Sequence, residues 1–151
     1  MSILAFDTNI LVYAVDQLAS IERREKAQAL LDRASKAGIG FLSSQALVEF
    51  HAVVTRKRRG TAQELIDQIE LWGQLFTVVV PSFEDVVIAT KAHRDHGLSI
   101  WDPMIWSVSR RAGAGMLLSE DFQDGRVLDG VRFVNPFNPA NDPLIDAALT
   151  P

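Results

Sequence analysis

The chain has 151 residues, a formal net charge of −4, 48% hydrophobic residues and a mean hydropathy of +0.09. This composition favours one globular domain with an apolar core, and it excludes binding of nucleic acid through an overall positive charge. Cysteine is absent, so the chain can form neither disulfide bridges nor thiolate metal sites, and any metal must bind oxygen or imidazole.

Short apolar runs alternate along the chain with longer segments of helical periodicity, which is typical of a parallel sheet covered by helices. Strands are predicted at residues 3–6, 41–42, 76–80, 116–118 and 131–134. Helices are predicted at residues 9–16, 21–36, 44–58, after Thr61, from Ser82 to His96, and at 102–111. The run 76–80 is rich in β-branched residues and is expected to be a buried strand.

Several residues are typical of helix ends. The candidates at helix starts are Ser43 or Ser44, Thr61 with Glu64, and Ser82 with Asp85, and Gly97 is the candidate at a helix end. These elements predict one domain over residues 1–135. The remaining residues, 136–151, contain several prolines and are expected to form an extended or loosely packed tail.

The apolar N-terminal stretch does not have the pattern of a signal peptide. It lacks a basic leader, and Asp7 interrupts the apolar run. No later segment approaches the roughly 20 apolar residues that a membrane span needs. We therefore expect a soluble, cytoplasmic protein.

Acidic residues lie near the carboxyl ends of the predicted strands. Asp7 directly follows the first strand, and Asp121 and Asp124 follow the fourth. Glu49 lies in the helix after the second strand, and Asp102 begins the helix that precedes the fourth. Because ligands of open parallel sheets bind outside the carboxyl ends of the strands, these acids are expected to converge at one edge.

A cluster of carboxylates in a water-poor pocket is unfavourable, because like charges repel and raise one another's pKa. A divalent cation removes this conflict, and oxygen ligands without cysteine point to Mg²⁺ or Mn²⁺. One or two such ions could activate a water and hold a phosphate oxygen. The sequence therefore indicates phosphodiester hydrolysis.

Each acid also has a plainer interpretation. Asp102 followed by Pro103 is typical of an ordinary helix start, and Asp7 could merely turn the chain and cap the next helix. The acids that follow the fourth strand could form a solvated turn, and Glu49 could lie on the surface. His93 and His96 are spaced for a metal, but their polar surroundings favour ordinary exposure.

Possible RNA contacts are weaker predictions. Arg56 and Lys57 begin a run of four basic residues, which could contact phosphate. The same run would also stabilise the C-terminus of a helix simply by its charge. Trp101, next to the presumed site, could stack on a nucleotide, although tryptophan is more often a core residue.

Four segments, in order along the chain, resemble the motifs of PIN-domain ribonucleases. They read AFDTNILVYA (residues 5–14), SSQALVEF (43–50), WDPMI (101–105) and LSEDFQDG (118–125). Each motif alone is weak, whereas four in this order are specific. The resemblance implies an α/β protein, a three-layer α/β/α sandwich with a central, mostly parallel sheet of four to five strands.

The resemblance also implies the site residues and the chemistry. The acids Asp7, Glu49, Asp102 and Asp121 would be catalytic and would hold Mg²⁺ or Mn²⁺ for RNA cleavage, with Asp124 as a further ligand. The supporting residues would be Thr8, Asn9 and Ser119. The sequence departs from the family pattern at Pro103, where many relatives have alanine, and in offering two acids after the fourth strand, of which Asp121 is favoured.

Single-domain members of this length are usually toxins of the VapBC toxin–antitoxin type, so the resemblance implies a cognate antitoxin that covers the acidic edge. A homodimer is also expected, because the helices carry more apolar residues than one sheet face requires. Three alternatives stay open. They are a catalytically weak PIN module that binds RNA, a general RNA-processing or flap nuclease, and a phosphatase with Asp7 as nucleophile, although Asn9 stands where a second aspartate is usual.

Overall fold

A computed structural model describes residues 2–57, 60–99 and 102–150 of the chain. The interpretation of Trp101 and the second half of the basic run (58–59) lie outside these described residues. The strands are β1 (Ile3–Phe6), β2 (Gly40–Ser43), β3 (Thr77–Val79), β4 (Ala114–Leu118), β5 (Val127–Leu128) and β6 (Val131–Val134). The helices are α1 (Thr8–Val15), α2 (Ile21–Ala37), α3 (Ser44–Arg56), α4 (Ala62–Leu75), α5 (Phe83–His96), α6 (Asp102–Arg111) and α7 (Asp142–Leu149).

The strands form one sheet in the order β3-β2-β1-β4-β6-β5. Every pairing is parallel except that of β5 with β6. The chain moves outward from β1 through β2 to β3 and then returns to place β4 on the other side of β1. The strand order therefore reverses between β1 and β4, which is where open sheets of this kind bind ligands.

Helices cover both faces of this sheet. α1 packs against α2 and α3, whereas α5 and α6 pack against each other and α6 contacts β4. Because parallel crossovers are right-handed, connections that run in opposite directions along the sheet place their helices on opposite faces. The predicted three-layer, mostly parallel α/β fold is therefore confirmed. The sheet has one strand more than the four to five expected, since the two-residue β5 is too short to leave a sequence pattern.

The core lies between the sheet and the two helical layers. Its largest fully buried side chains include Phe6, Phe50 and Phe133, which come from β1, α3 and β6. Among the described residues, no helix has both the length and the hydropathy needed to cross a lipid bilayer.

The predicted helix ends agree with the structure. Ser43 rather than Ser44 caps α3, and Thr61 with Glu64 forms a complete capping box at the start of α4. Ser82 and Asp85 form a second capping box before α5. Gly97 ends that helix with a φ of 64°, a conformation that glycine adopts without a steric penalty.

The prediction of a buried strand at residues 76–80 is wrong. β3 has only three residues and lies at the edge of the sheet, and the Val80 that follows it is 68% exposed. β-branched residues favour extended backbone at an edge as well as at the centre of a sheet. Composition alone therefore could not locate this strand within the sheet.

The prediction of a loose C-terminal tail is also wrong. A short 3₁₀ turn (Pro139–Asn141) leads into α7, whose Ile145, Ala148 and Leu149 are buried. α7 packs against α2, where Lys26 binds Asp142 at 2.5 Å. The prolines suggested a loose segment, but proline fits the first turn of a helix because the amide hydrogen there needs no helical partner.

Candidate active site

A cleft of about 590 Å³ opens where the order of the strands reverses. We call it the acidic cleft. Its walls contain all four of the acids predicted to act together, which are Asp7, Glu49, Asp102 and Asp121. The other lining residues are Thr8, Asn9, Val12, Tyr13, Ala52, Val53, Lys57, Ser99 and Glu120. The lining thus combines acidic side chains with the apolar side chains of Val12, Ala52 and Val53.

Asp7 has two roles that the sequence presented as alternatives. It is the N-cap of α1, and its Oδ1 accepts a hydrogen bond of 2.7 Å from the amide of Thr8. Its Oδ2 accepts a hydrogen bond of 2.6 Å from Ser119 Oγ, at the end of β4. A single carboxylate therefore caps the helix and lines the cleft, and only 8% of the residue is exposed.

Two acids of the cleft, Asp7 and Asp102, have pKa values above the ordinary value for aspartate. Burial, together with the smaller effect of the charges of Asp121 and Asp102, raises the pKa of Asp7 to about 6 against the hydrogen bonds from Ser119 and Thr8. Burial also raises the pKa of Asp102, with Asp121 and Glu49 adding to the effect. Bringing a cation into the cleft would relieve this repulsion.

Glu49 is held by neutral donors on both of its oxygens. Thr8 Oγ1 donates to Oε2 at 2.9 Å, and Gln45 Nε2, one helical turn earlier on α3, donates to Oε1 at 2.7 Å. These bonds orient the carboxylate without cancelling its negative charge. Thr8, a predicted supporting residue, thus connects the start of α1 to the acid on α3.

Asn9 and Ser119, the other predicted supporting residues, join Asp7 to Asp121. Asn9 Nδ2 donates to Asp121 Oδ2 at 3.0 Å and to Ser119 Oγ at 3.2 Å, and it lies 3.5 Å from Asp7 Oδ2. Ser119 Oγ accepts a further bond of 3.0 Å from the amide of Asp121. Asn9 Oδ1 is buried, and no hydrogen-bond partner for it occurs in the described ranges.

Asp124 lies outside the acidic cleft, contrary to the expectation that it shares the site. Its Oδ1 accepts from the amide of Asn135 at 2.9 Å, and Asn138 and Asn141 donate to the carboxylate at 2.9 to 3.0 Å. The motif offered two acids, three and six residues beyond the end of β4. In the tertiary structure only Asp121 lines the cleft. Asp124 instead accepts hydrogen bonds from the segment of residues 135–149, which we call the C-terminal segment.

Of the predicted RNA contacts, Lys57 lines the cleft whereas Arg56 is exposed away from it. Lys57 Nζ lies 3.8 Å from Asp16 Oδ2. Lys57 is the only basic residue among the described residues that line the cleft. His93 is directed elsewhere, since its Nδ1 lies 2.6 Å from the carbonyl oxygen of Leu98.

The donor set of the cleft fits a hard divalent cation. It consists of carboxylate, hydroxyl and carboxamide oxygens without histidine, and Mg²⁺ prefers such ligands. Within residues 2–57, 60–99 and 102–150, no three acidic or histidine side chains are arranged to enclose an ion. Mg²⁺ is usually bound by one or two carboxylates and several waters, so this open arrangement suits it.

Three residues near the cleft were not singled out as site residues from the sequence. Tyr13 donates a hydrogen bond of 2.6 Å to Glu120, and Arg23 forms an ion pair with the same carboxylate. One signal was available for Tyr13, which follows Asn9 by four residues and so shares its face of α1. Nothing in the sequence pairs Arg23 with Glu120, because 97 residues separate them.

Three solved structures with a similar fold are a toxin and two toxin–antitoxin complexes. The chain is similar to Mycobacterium tuberculosis VapC20, a toxin that cleaves the sarcin–ricin loop, with a TM-score of 0.62 and 18% identity over 76% of this chain and 86% of that one. It is similar to a toxin–antitoxin complex from Klebsiella pneumoniae, with a TM-score of 0.64 and 17% identity over 89% and 98%. A third, VapBC2 from Rickettsia felis bound to a promoter DNA fragment, gives a TM-score of 0.62 and 16% identity over 87% and 96%.

At these identities the solved structures establish the fold alone, and none of the curated proteins matches the sequence. The family assignment comes from the sequence itself. Residues 4–125 match the PIN domain, and this range contains all four acids of the cleft. The chain belongs to the PIN domain family.

Proposed function

We propose that this chain is a Mg²⁺- or Mn²⁺-dependent endoribonuclease and the toxin of a VapBC-type toxin–antitoxin pair. The observation that carries the proposal is the convergence of Asp7, Glu49, Asp102 and Asp121 on one cleft in a PIN domain. These acids come from four separate segments of the chain. A solvated turn or an isolated helix cap would not gather them.

In this proposal the four acids bind the cation directly or through water, and Ser119, Asn9 and Thr8 orient three of them, Asp7, Asp121 and Glu49. When bound, the cation would stabilise charge on the phosphate and make a water more acidic. Ser119 Oγ holds Asp7, and Asn9 Nδ2 holds Asp121, so the two acids from neighbouring strands keep a fixed spacing. The raised pKa of Asp7 supports the proposal, because a carboxyl that is costly to ionise alone gains most from a cation.

The RNA would lie along the cleft, with Lys57 at its wall as a phosphate contact. Arg56 and Trp101 remain further proposed contacts. The cleavage of the sarcin–ricin loop by VapC20 supports RNA as the substrate class. The apolar lining residues Val12, Ala52 and Val53 would contact a ribose or a base.

The proposed partner is an antitoxin that presents arginine or lysine to the acidic cleft, since carboxylates bind such side chains through charge-assisted hydrogen bonds. The two toxin–antitoxin complexes of the same fold support this partner. A homodimer and a cytoplasmic location belong to the same proposal. Exposed apolar side chains near β3, among them Phe83 and Val80, support self-association.

The direct test is cleavage by the purified chain of RNA, single-stranded DNA and branched DNA, with Mg²⁺, Mn²⁺ or a chelator. We expect cleavage of RNA only, its loss in chelator, and its loss in a folded Asp102→Asn variant. Asp95→Asn is the matched control, because Asp95 is exposed on α5, outside the acidic cleft, and forms an ion pair with its neighbour Arg94. RNA cleavage in chelator, or full activity of Asp102→Asn, would contradict the mechanism, and preferred cleavage of branched DNA would indicate a flap nuclease.

The toxin assignment needs a separate test in cells. Induced expression of the chain should arrest growth, and the Asp102→Asn variant should not. Co-expression of a short protein from an adjacent reading frame should restore growth and should form a complex with the chain. Active nuclease without growth arrest would favour a general RNA-processing enzyme over a toxin.

A further inference from the structure

In the loop after β4, Asp121 lies between Glu120 and Phe122, whose side chains are held by different parts of the structure. On one side, Phe122 is buried against Phe133, with ring centroids 4.4 Å apart. On the other side, Glu120 turns toward α1 and α2. Asp121 itself is exposed in the cleft, and its carboxylate accepts from Asn9. Its position therefore depends on how firmly its two neighbours are held.

Glu120 is bound at both carboxylate oxygens by residues from two helices. Tyr13 Oη on α1 donates to Oε1 at 2.6 Å, and Arg23 Nη1 on α2 forms an ion pair with Oε2. Arg23 Nη1 also lies 3.4 Å from the Tyr13 hydroxyl. Both Glu120 and Asp121 line the cleft. The charge of Glu120 is matched by the guanidinium of Arg23, whereas Asp121 accepts a hydrogen bond from the neutral side-chain amide of Asn9.

Arg23 is itself held in place by two aromatic rings. Its guanidinium carbon lies 5.2 Å from the ring centroid of Tyr13 and 4.6 Å from that of Phe137, within the range of cation–π attraction. The two rings contact each other edge to face at 5.1 Å. Phe137 belongs to the C-terminal segment, beyond residue 125 where the PIN domain match ends.

The same C-terminal segment holds the far end of the loop. Asp124 accepts hydrogen bonds from Asn135, Asn138 and Asn141, so the loop is fixed on both sides of Asp121. The segment in turn packs against α2 through α7, whose Ile145, Ala148 and Leu149 are buried, and the solvent-exposed ion pair of Arg33 with α7 contributes little to this docking. These contacts connect the C-terminus to the geometry of the cleft.

From these contacts we infer that Tyr13, Arg23, Glu120 and Phe137, here called the Glu120 clamp, position Asp121 for cation binding. The clamp also keeps the Glu120 carboxylate out of the cation-binding set. The inference rests on the proposed function, because it gives Asp121 a role in holding the cation. Tyr13 and Arg23 are positioning residues in this scheme, since they act through Glu120.

The test measures Mn²⁺ affinity by calorimetry alongside kcat and KM for RNA in Glu120→Ala, Arg23→Gln and Tyr13→Phe. We expect Mn²⁺ affinity and kcat to fall by about tenfold in the first two variants, as is usual when a group that orients a metal ligand is lost. Tyr13→Phe removes one hydroxyl and should have a smaller effect in the same direction. KM for RNA should not change, and Arg23→Lys should restore part of the loss because it keeps the ion pair.

Arg33→Gln is the matched control for Arg23→Gln. Both arginines lie on α2, have similarly exposed side chains (43% and 41%) and form an ion pair with a distant acid, but Arg33 binds Asp146 on α7. A loss of α2 anchoring alone would lower the melting temperature of both variants. Only the Arg23 variant should lose Mn²⁺ affinity.

Two outcomes separate this inference from the proposed function. If the wild-type chain cleaves RNA but folded clamp variants bind Mn²⁺ like wild type, the clamp is overturned and the nuclease stands. If the wild-type chain cleaves no RNA but Mn²⁺ affinity falls in the clamp variants, the nuclease is overturned and the clamp stands. Should Glu120→Ala fail to fold, Tyr13→Phe decides, and a rise in Mn²⁺ affinity in any clamp variant would also contradict the inference.

Discussion

Two buried aspartates in this chain, Asp7 and Asp85, have pKa values shifted in opposite directions. Asp7 is 8% exposed and Asp85 is 1% exposed, so both carboxyls are largely removed from water. The pKa of Asp7 is raised to about 6 by burial, with Asp121 and Asp102 nearby. Burial acts in the same direction on Asp85, but hydrogen bonds from Arg111, Ser82 and Ser107 lower its pKa to about 2.

The two pKa values differ because the two carboxylates have different hydrogen-bond and charge partners. Asp85 accepts from Arg111 Nε at 2.9 Å, from Ser107 Oγ at 2.8 Å, and from the amide and hydroxyl of Ser82 at 2.8 and 3.0 Å. Asp7 accepts from neutral groups and faces other acids. A buried charge whose partners are complete stabilises the fold, whereas one that faces like charges is suited to an external cation.

The largest expected effect is on RNA cleavage by Asp7→Asn. The change removes the charge that we propose for cation binding and keeps the shape of the cap. We expect a loss of about a thousandfold in kcat/KM, because a bound cation contributes several kcal/mol of transition-state stabilisation. Initial rates at saturating Mg²⁺, with circular dichroism as the check on folding, measure it, and unchanged cleavage by the folded variant would remove Asp7 from the site.

The next largest effect is on stability in Asp85→Ala. The change leaves the buried Ser107 hydroxyl without its acceptor and breaks the ion pair with the half-exposed Arg111. We expect the free energy of unfolding to fall by about 3 kcal/mol. Urea denaturation measures it, with Asp95→Ala as the exposed control. A loss under about 0.5 kcal/mol, the range of ordinary surface substitutions, would show that this network adds little.

The two aspartates should also give opposite pH dependence in a chelator. The folded pKa of Asp7 lies above its ordinary value of 3.8, so its contribution to stability is present below about pH 4 and is lost as the pH rises through 6. The folded pKa of Asp85 lies below 3.8, so its contribution is present above about pH 4 and is lost as the pH falls toward 2.

Unfolding free energies of wild type, Asp7→Asn and Asp85→Asn between pH 3 and pH 7 measure these slopes. The difference between wild type and Asp7→Asn should change by about 3 kcal/mol across its window, in the direction that disfavours wild type at higher pH. The difference for Asp85→Asn should have the opposite slope. Parallel slopes for the two variants would mean that the environments of the two carboxyls do not differ as described.

The smallest expected effect is stabilisation by the cation. At a Mg²⁺ concentration about ten times its dissociation constant, binding to the folded state alone adds about 1.4 kcal/mol to the unfolding free energy. Wild type and Asp85→Asn should gain this, and Asp7→Asn should not. Thermal melts with and without Mg²⁺ at pH 7.5 measure it, and an equal gain in Asp7→Asn would place the cation elsewhere.

Local sequence patterns were sufficient for much of the fold and for the acids of the cleft. The capping boxes at Thr61 and Ser82 and the glycine cap at Gly97 depend on residues within one turn of each other, so they could be read directly. Asp7 and Asp121 follow strands whose carboxyl ends must share an edge in a parallel sheet. Glu49 and Asp102 were placed with them by the same topology and by the family motifs.

Contacts between distant segments decided the rest. The edge position of β3 and the packing of α7 depend on the elements that lie beside them in space. Those elements are distant in sequence, so the local residue pattern does not show them. The Asn135, Asn138 and Asn141 side chains remove Asp124 from the cleft, and Arg23 reaches Glu120 across 97 residues.

The sequence by itself therefore determined the order of the elements, the ends of the helices and the identity of the acids, since each follows from neighbouring residues and the direction of the strands. The tertiary structure alone decided which acids face the cleft, which are paired, and whether burial raises or lowers a pKa. Those properties depend on partners brought together through space, and the free energy of a buried charge is set by such partners.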